Sequence, residues 1–427
     1  MSYFSYKNDI LHAENVALDA IAQQFGSPTY VYSKAALTAN FSAYADACRQ
    51  HSPAPDSSLI CYSVKSNSNL AVLQLLSRLG SGFDIVSGGE LLRVIAAGGD
   101  PRKVIFSGVG KSREEMRLAL SHDILCFNVE SIPELHRLNE AAAAMGKRAA
   151  ISLRVNPNVD AKTHPYISTG LKENKFGVAY EDALACYRTA AVLPHIEVAG
   201  IDCHIGSQLL DDAPLLEALD KLIDLVDQLA SEGIHLHHLD IGGGIGITYD
   251  DEKPVAIGSY LGRLFARIDA WRQDKYQGAP IKVLFEPGRS IVGNAGILLT
   301  EIQYLKHSEA KNFAIVDAAM NDLMRPAMYE AWHGVQTVAR RNSAEQVYDV
   351  VGPVCESGDW LARSRPLAVE AGDLLALMSA GAYGMTMSSN YNTRGRAAEV
   401  MVDGEQVHLI RQRENPADLF ALESLLA

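Results

Sequence analysis

Apolar, β-rich runs recur through the middle of the chain, each followed by a polar loop and then a helical pattern. The runs are Leu59–Tyr62, Phe83–Val86, Val104–Phe106, Ile124–Val129, Ala150–Val155, Ile196–Cys203, Leu236–Ile241 and Lys282–Phe285. Their apolar continuity fits strands covered on both faces. Helical spacing separates them, for example at Glu90–Ala97, Ser112–Leu120, Pro133–Met145, Ala213–Ala230 and Tyr260–Trp271. Strand alternating with helix implies parallel pairing through helical crossovers. Eight such units in about 230 residues predict a closed (β/α)8 barrel. A doubly wound open sheet is the alternative, but no G-x-G-x-x-G follows the first strand to support it.

After Glu286 the texture changes. Ile297–Leu305, Phe313–Asp317, Val347–Val354, Leu374–Met378 and Glu399–Leu409 have strand character without long helices between them, and Asp403-Gly404 marks a hairpin. These predict a second, mostly β C-terminal domain, a sandwich or barrel. The short run Thr29–Tyr32 lies outside the count of eight and is assigned to that domain. Ser33 then caps a helix through about Arg49. The expected division is residues 34–285 for the barrel, with 1–33 and 286–427 forming the β domain. Residues 1–28 are otherwise mixed and carry little signal.

Composition narrows the class. Hydrophobic residues are 48% and charged residues 21% of the 427, an ordinary balance for a soluble protein. The net charge of −13, with no dense Lys/Arg cluster, argues against nucleic-acid or anionic-membrane partners. The start, MSYFSYKNDILHAENV, does not read as a secretory signal, and no stretch has the length of a membrane helix. Six cysteines without a C-x-x-C pair point to reduced thiols in the cytoplasm.

In a barrel of this kind chemistry sits on loops at the C-terminal ends of the strands. Lys65 follows the first run, where polar Ser66, Asn67, Ser68 and Asn69 suit the start of a helix bearing Leu70, Leu73, Leu76 and Leu79. Alone, a loop lysine is ordinarily a solvated charge. Here it is a candidate nucleophile whose amine can condense with a carbonyl. Asp84 lies in the second run and Arg154 ends the fifth; both are site candidates or a structural ion pair at the barrel mouth. His204-Ile205-Gly206-Ser207 follows the sixth run, and His204 is either a ring that stacks on a ligand or a packed core histidine. Gly242-Gly243-Gly244-Ile245-Gly246 follows the seventh, where consecutive glycines let backbone N–H groups approach an anion, and Ser207 adds a donor. Glu286-Pro287-Gly288-Arg289 follows the eighth. A lysine, a phosphate cradle, a histidine and a carboxylate are what pyridoxal phosphate requires: the lysine holds its aldehyde, and the acid keeps its ring nitrogen protonated.

The segments Tyr62–Asn67, His204–Gln208 (HIGSQ), Gly242–Gly246 (GGGIG), Glu286–Arg289 (EPGR), Gly352–Asp359 (GPVCESGD) and Gly381–Gly384 (GAYG) together resemble the barrel-fold pyridoxal phosphate decarboxylases, and within them the diaminopimelate decarboxylases. Ornithine decarboxylase belongs to that family, and alanine racemase is related to it. The resemblance runs over nearly the whole chain. It implies that Lys65 carries the cofactor, Glu286 pairs with the pyridine nitrogen and His204 covers the ring. Ser207, Gly242, Gly243, Gly244, Pro287, Gly288, Arg289 and Tyr383 would hold the phosphate or lie beside it, with Asp84 and Arg154 nearby. Ser63 and Ser66 stand where the family more often has alanine. The resemblance also implies a homodimer with shared active sites, in which Cys355 and Glu356 reach the partner's cofactor and Cys355 supplies a proton. Arg289, Arg325, Tyr329, Glu356 and Tyr383 would bind substrate. The expected reaction is decarboxylation of meso-2,6-diaminopimelate at its D centre to L-lysine and CO2. Ornithine, arginine or carboxynorspermidine are the alternative substrates, and a catalytically silent binding protein is the alternative class; the latter should have lost Lys65, Glu286 or Cys355.

Overall fold

A computed structural model describes residues 3–54, 56–160, 174–274 and 281–426. The chain divides into two compact units. One comprises 40–247 and 253–290; the other comprises 1–39, 248–252 and 291–427.

The first unit is a closed barrel of eight parallel strands. In chain order they are Ser58–Ser63, Gly82–Ile85, Val104–Phe106, Cys126–Val129, Ala149–Asn156, Ile196–Asp202, His238–Asp240 and Lys282–Phe285. Each pairs with the next, and the eighth closes on the first through Val283↔Ser58 and Leu284↔Leu59. All eight runs expected from the sequence form these strands. The fourth and seventh are shorter than their apolar runs, because Ile124, Leu125, Leu236 and Ile241 serve as flanking apolar residues.

Helices cover the outside. Leu70–Arg78 is capped by Asn69, whose side chain accepts from the Ala71 amide. It buries Val72, Leu73 and Leu76, whereas Leu70, expected on the inner face, is 44% exposed. Arg113–Ser121 starts at a capping box in which Ser112 and Glu115 satisfy each other's amides. A helix at Tyr180–Ala191, which the sequence reading did not anticipate, fills the crossover between the fifth and sixth strands.

Side chains alternate across each strand, so one interior layer lies one to four residues before the strand ends. It consists of Cys61, Gly82, Ile105, Cys126, Ser152, Gly200, His238 and Leu284. Small residues make room for one large ring: buried His238 sits 2.6 Å from the Ser152 hydroxyl and 3.6 Å from the Cys126 sulfur. A Cβ on Gly200, its neighbour across the sheet, would lie 2.1 Å from His238 Nε2.

The second unit is mostly β. Its main sheet runs in the spatial order Trp360–Leu367, Gln346–Val351, Asn312–Val316, Gly296–His307, Thr29–Ser33, Ala398–Asp403, Gln406–Arg411. Thr29–Ser33 therefore does join this sheet, antiparallel to Gly296–His307 and parallel to Ala398–Asp403. The run expected as Glu399–Leu409 is the hairpin that Asp403-Gly404 signals, with Gly404 at φ +63°. Three short strands within Phe4–Ala17 form a further small sheet.

Gly200→Ala should overpack the barrel interior, at a cost of about 1–3 kcal/mol. The check is the thermal midpoint, expected to drop by several degrees. An unchanged midpoint would mean that the His238 ring can move aside.

Candidate active site

The next inward-facing position on each barrel strand, within two residues of its C-terminal end, forms a second layer: Ser63, Asp84, Ser107, Asn128, Arg154, Asp202, Asp240 and Glu286. All eight are at most 8% exposed. The same strand alternation that fills the interior below with small and apolar groups presents this polar ring to the mouth of the barrel.

Lys65 rises into the ring from a single 3-10 turn, Val64–Ser66. Its Nζ lies 2.7 Å from Asp84 Oδ2, which also accepts from the Ser63 hydroxyl at 2.8 Å. Ser66 donates to the Ser63 carbonyl at 2.7 Å. Ser66 thus stiffens the turn, and Ser63 shares Asp84 with the lysine. Asp84 and Arg154 do not pair with each other. Arg154 instead lies 3.3 Å from Glu130, whose two oxygens also accept from the Gly108 and Gly177 amides.

Three carboxylates of the ring, Asp202, Asp240 and Glu286, bring oxygens within 4.8 Å of one another. Burial pushes Glu286 well above the ordinary carboxylate range, and the nearby charges of Asp84, Asp240 and Asp202 push it further. Burial and then Asp202 do the same to Asp240. Burial raises Asp202 to about 7, against the pull of Arg154. Such a cluster needs a cation or shared protons to neutralise it, and burial of all three favours protons. One oxygen each of Asp84, Asp202 and Asp240 is buried without a hydrogen-bond partner among the described residues. Glu286 receives long contacts of 3.4 Å from Ser107 and Asn128. A carboxyl that keeps its proton in this setting is placed to share it with a basic ring nitrogen.

The loops beyond the sixth, seventh and eighth strands pack backbone to backbone. A Cβ at Gly243 would lie 2.1 Å from the Glu286 carbonyl, one at Gly242 would lie 2.4 Å from the Cys203 carbonyl, and one at Gly244 would lie 2.4 Å from the Gly206 carbonyl. Gly242 and Gly244 also have φ of +68° and +110°. No side chain is tolerated at any of the three. The Gly243 amide donates to His204 Nδ1 at 3.3 Å, which leaves the proton of a neutral His204 on Nε2. Burial, with Arg154 and Lys65 nearby, lowers the His204 pKa well below its ordinary value and keeps the ring neutral. Arg289 reaches Ser207 with both Nε and Nη2, at 3.2 and 3.1 Å. Gly288 packs against Ser63 and Ser66, which ties the EPGR segment to the lysine turn.

The barrel unit therefore gathers Lys65, Asp84, Arg154, His204, Ser207, Gly242, Gly243, Gly244, Glu286, Pro287, Gly288 and Arg289. A side-chain-free cradle, a lysine and a proton-holding carboxyl together fit pyridoxal phosphate. Asp202, Asp240, Ser107, Asn128 and Glu130 were missed by the sequence reading. The signal was available for the first two, because each is a carboxylate at a strand end, as Glu286 is.

The remaining candidates lie in the β unit. Asp359 folds the GPVCESGD segment: its carboxylate accepts from the Met320 and Val354 amides at 2.6 and 2.7 Å. This turn leaves Cys355 and Glu356 exposed. Cys355 is the single exposed cysteine of six free ones. The Tyr391 hydroxyl donates to Glu356 at 2.6 Å. Gly381 and Gly384 hold Tyr383, at φ +55°, in a bend where a Cβ on Gly381 would lie 1.9 Å from the Val292 carbonyl. Arg325 is buried at the start of a short helix, Arg325–Tyr329, with Tyr329 half-buried.

Residues 39–293 match the family model described as pyridoxal-dependent decarboxylase, pyridoxal binding domain. The chain is 59% identical, over all of both chains, to a diaminopimelate decarboxylase of Pseudomonas aeruginosa, and 55% identical over all of both to one of Vibrio cholerae. Among solved structures it is similar to diaminopimelate decarboxylase of M. jannaschii in co-complex with L-lysine, with a TM-score of 0.93 and 38% identity. That match covers 99% of this chain and 98% of the other. The corresponding enzyme of Helicobacter pylori, complexed with L-lysine, gives a TM-score of 0.88 at 42% identity and covers 95% and 99%.

An unfolded aspartate titrates near ~3.9. Folded Asp202 keeps its proton up to about 7, so stability falls as pH rises through that window. Asp202→Asn, uncharged in both states, should flatten the decline of the thermal midpoint of the cofactor-free protein between about pH 4 and 7. A slope like the parent's would assign the decline to other groups.

Proposed function

The chain belongs to the pyridoxal-dependent decarboxylases, and from that premise we propose the roles of its individual residues in the reaction of the diaminopimelate decarboxylases. The protein is a pyridoxal 5'-phosphate-dependent carboxy-lyase that converts meso-2,6-diaminopimelate to L-lysine and CO2, the last step of lysine biosynthesis. The observation that carries the residue assignment is the barrel ring itself, in which Lys65 is held by Asp84 beside a glycine cradle and a cluster of carboxyls.

Bound there, pyridoxal phosphate supplies an electron sink for the bond that breaks when CO2 leaves. Lys65 would hold the cofactor covalently, and Asp84 keeps its amine positioned for that. The amides of Gly242, Gly243 and Gly244, with Ser207, Gly288 and Arg289, bind the phosphate. Tyr383 and Pro287 belong to the same cofactor set. Glu286 would hold a proton at the pyridine nitrogen, and burial with the nearby charges of Asp84, Asp240 and Asp202 raises its proton affinity for that task. His204, kept neutral by burial and with its tautomer set by Gly243, would cover a ring face without adding charge. Arg154, fixed by Glu130, completes the ring.

Cys355 supplies the proton that replaces the departing carboxyl. Its exposure supports a role at an interface, and the sites are shared between the two subunits of a homodimer, with Cys355 and Glu356 reaching the partner's cofactor. The substrate's non-reacting end carries a carboxylate and an ammonium. Arg289, Arg325, Tyr329 and Tyr383 meet the carboxylate, and Glu356 meets the ammonium. The protein acts in the cytoplasm, a reading supported by its six free thiols; among the described residues no helix is long and apolar enough to cross a membrane.

CO2 release across a panel of diamino acids tests the substrate: meso-diaminopimelate should be strongly preferred, and a preference for ornithine or arginine would overturn the reading. Arg325→Ala should raise KM for meso-diaminopimelate by at least about thirtyfold, the loss of a charge-assisted contact worth ~2–5 kcal/mol. Its cofactor absorbance should stay unchanged. Inactive Lys65→Ala and Cys355→Ala proteins, mixed and allowed to exchange subunits, should regain part of the activity. No recovery despite demonstrated exchange would place each site within one chain.

A further inference from the structure

His333 has no place in the assignments above, yet it is fully buried and touches the residue on which substrate preference depends. Its Nε2 lies 2.9 Å from Nη1 of Arg325, and its Nδ1 lies 2.8 Å from the Met378 carbonyl. A carbonyl only accepts, so Nδ1 carries the hydrogen. A guanidinium only donates, so Nε2 must present its lone pair. The two contacts together admit one state of the ring, the neutral Nδ1–H tautomer.

The loop bearing His333 is itself fixed. The Met378 amide donates to the Gly334 carbonyl at 2.8 Å, and Arg365 donates to the His333 carbonyl at 3.2 Å. Tyr249 closes the arrangement. The Arg325 guanidinium carbon lies 4.6 Å from its ring centroid, and the His333 ring meets the same tyrosine edge-on at 5.3 Å. The guanidinium is a planar fork whose value for a carboxylate depends on its orientation. An acceptor on one edge and an aromatic face beside the plane set both its rotation and its tilt.

We propose that His333 is the positioning residue for Arg325, and that its neutral ring sets the preference for a substrate with a second carboxylate over a diamino acid that lacks one. This rests on the reading that Arg325 binds the distal carboxylate. It goes beyond that reading by naming the group that aims the arginine.

The test compares His333→Asn with His333→Gln in the cofactor-loaded enzyme. Asparagine can still donate to Met378 but cannot reach Arg325, whereas the longer glutamine can present an oxygen to the guanidinium. For meso-diaminopimelate, His333→Asn should raise KM roughly 10–100-fold, the loss expected for a hydrogen bond to a charged group, with kcat within about twofold. His333→Gln should stay within a few-fold of the parent in both. In an Arg325→Ala background, His333→Asn should have no further effect on KM, because neighbours acting through one contact are not additive. A KM unchanged by His333→Asn, where Arg325→Ala raises it, overturns the role of His333 alone. A KM unchanged by Arg325→Ala overturns the carboxylate reading instead. Equal additional losses in the two backgrounds would show that His333 acts only through the fold, and the proposal would fall.

Discussion

Excess negative charge at the end of the barrel is the constraint on which the site depends. Asp84, Asp202, Asp240 and Glu286 occupy one interior layer, and the cations in reach are Lys65 and Arg154, the latter already facing Glu130. Four ionised carboxylates cannot be sustained in such burial. Asp84 is compensated by the lysine. Burial raises the proton affinity of the other three, so protons on them can be drawn on by whatever binds above. A basic aromatic nitrogen is stabilised there for the same reason that the acids are destabilised. The lysine turn and the glycine loops then need only hold such a ring in place.

The layer beneath shows how that charge is supported mechanically. Gly82 and Gly200 remove side chains, and the His238 ring fills the interior against Ser152 and Cys126. A barrel floor without slack keeps the eight strand ends in register, so the carboxyls stay at fixed separations.

Much of this was legible in the sequence, for reasons that differ by element. The eight strands could be read because strands covered on both faces are continuously apolar. Glu286 stood out as a charge directly after such a run, and Lys65 as the first charge to follow one. Asp202 and Asp240 obey the same rule but were absorbed into the runs Ile196–Cys203 and Leu236–Ile241, where a single acid looks like an interruption. Trp360–Leu367 was hidden by Arg363 and Arg365, whose guanidinium groups lie over Trp360 and Trp332 and let charged positions sit in a strand. Tyr180–Ala191 was hidden because its buried face is built of Ala183, Cys186, Tyr187 and Ala190, which give little hydrophobic contrast. His333 and Tyr249 could not be found at all by local pattern, since their meaning comes from Arg325, 8 and 76 residues away along the chain.

The segment Thr248–Glu252 carries a last consequence. Within its own unit it sets Tyr249 against two neighbours at once: the Arg325 guanidinium lies 4.6 Å from the ring centroid, and the His333 ring meets it edge-on at 5.3 Å. One aromatic ring is thus a wall shared by an arginine and a histidine, so a replacement at position 249 cannot be fitted to one of them without also being fitted to the other.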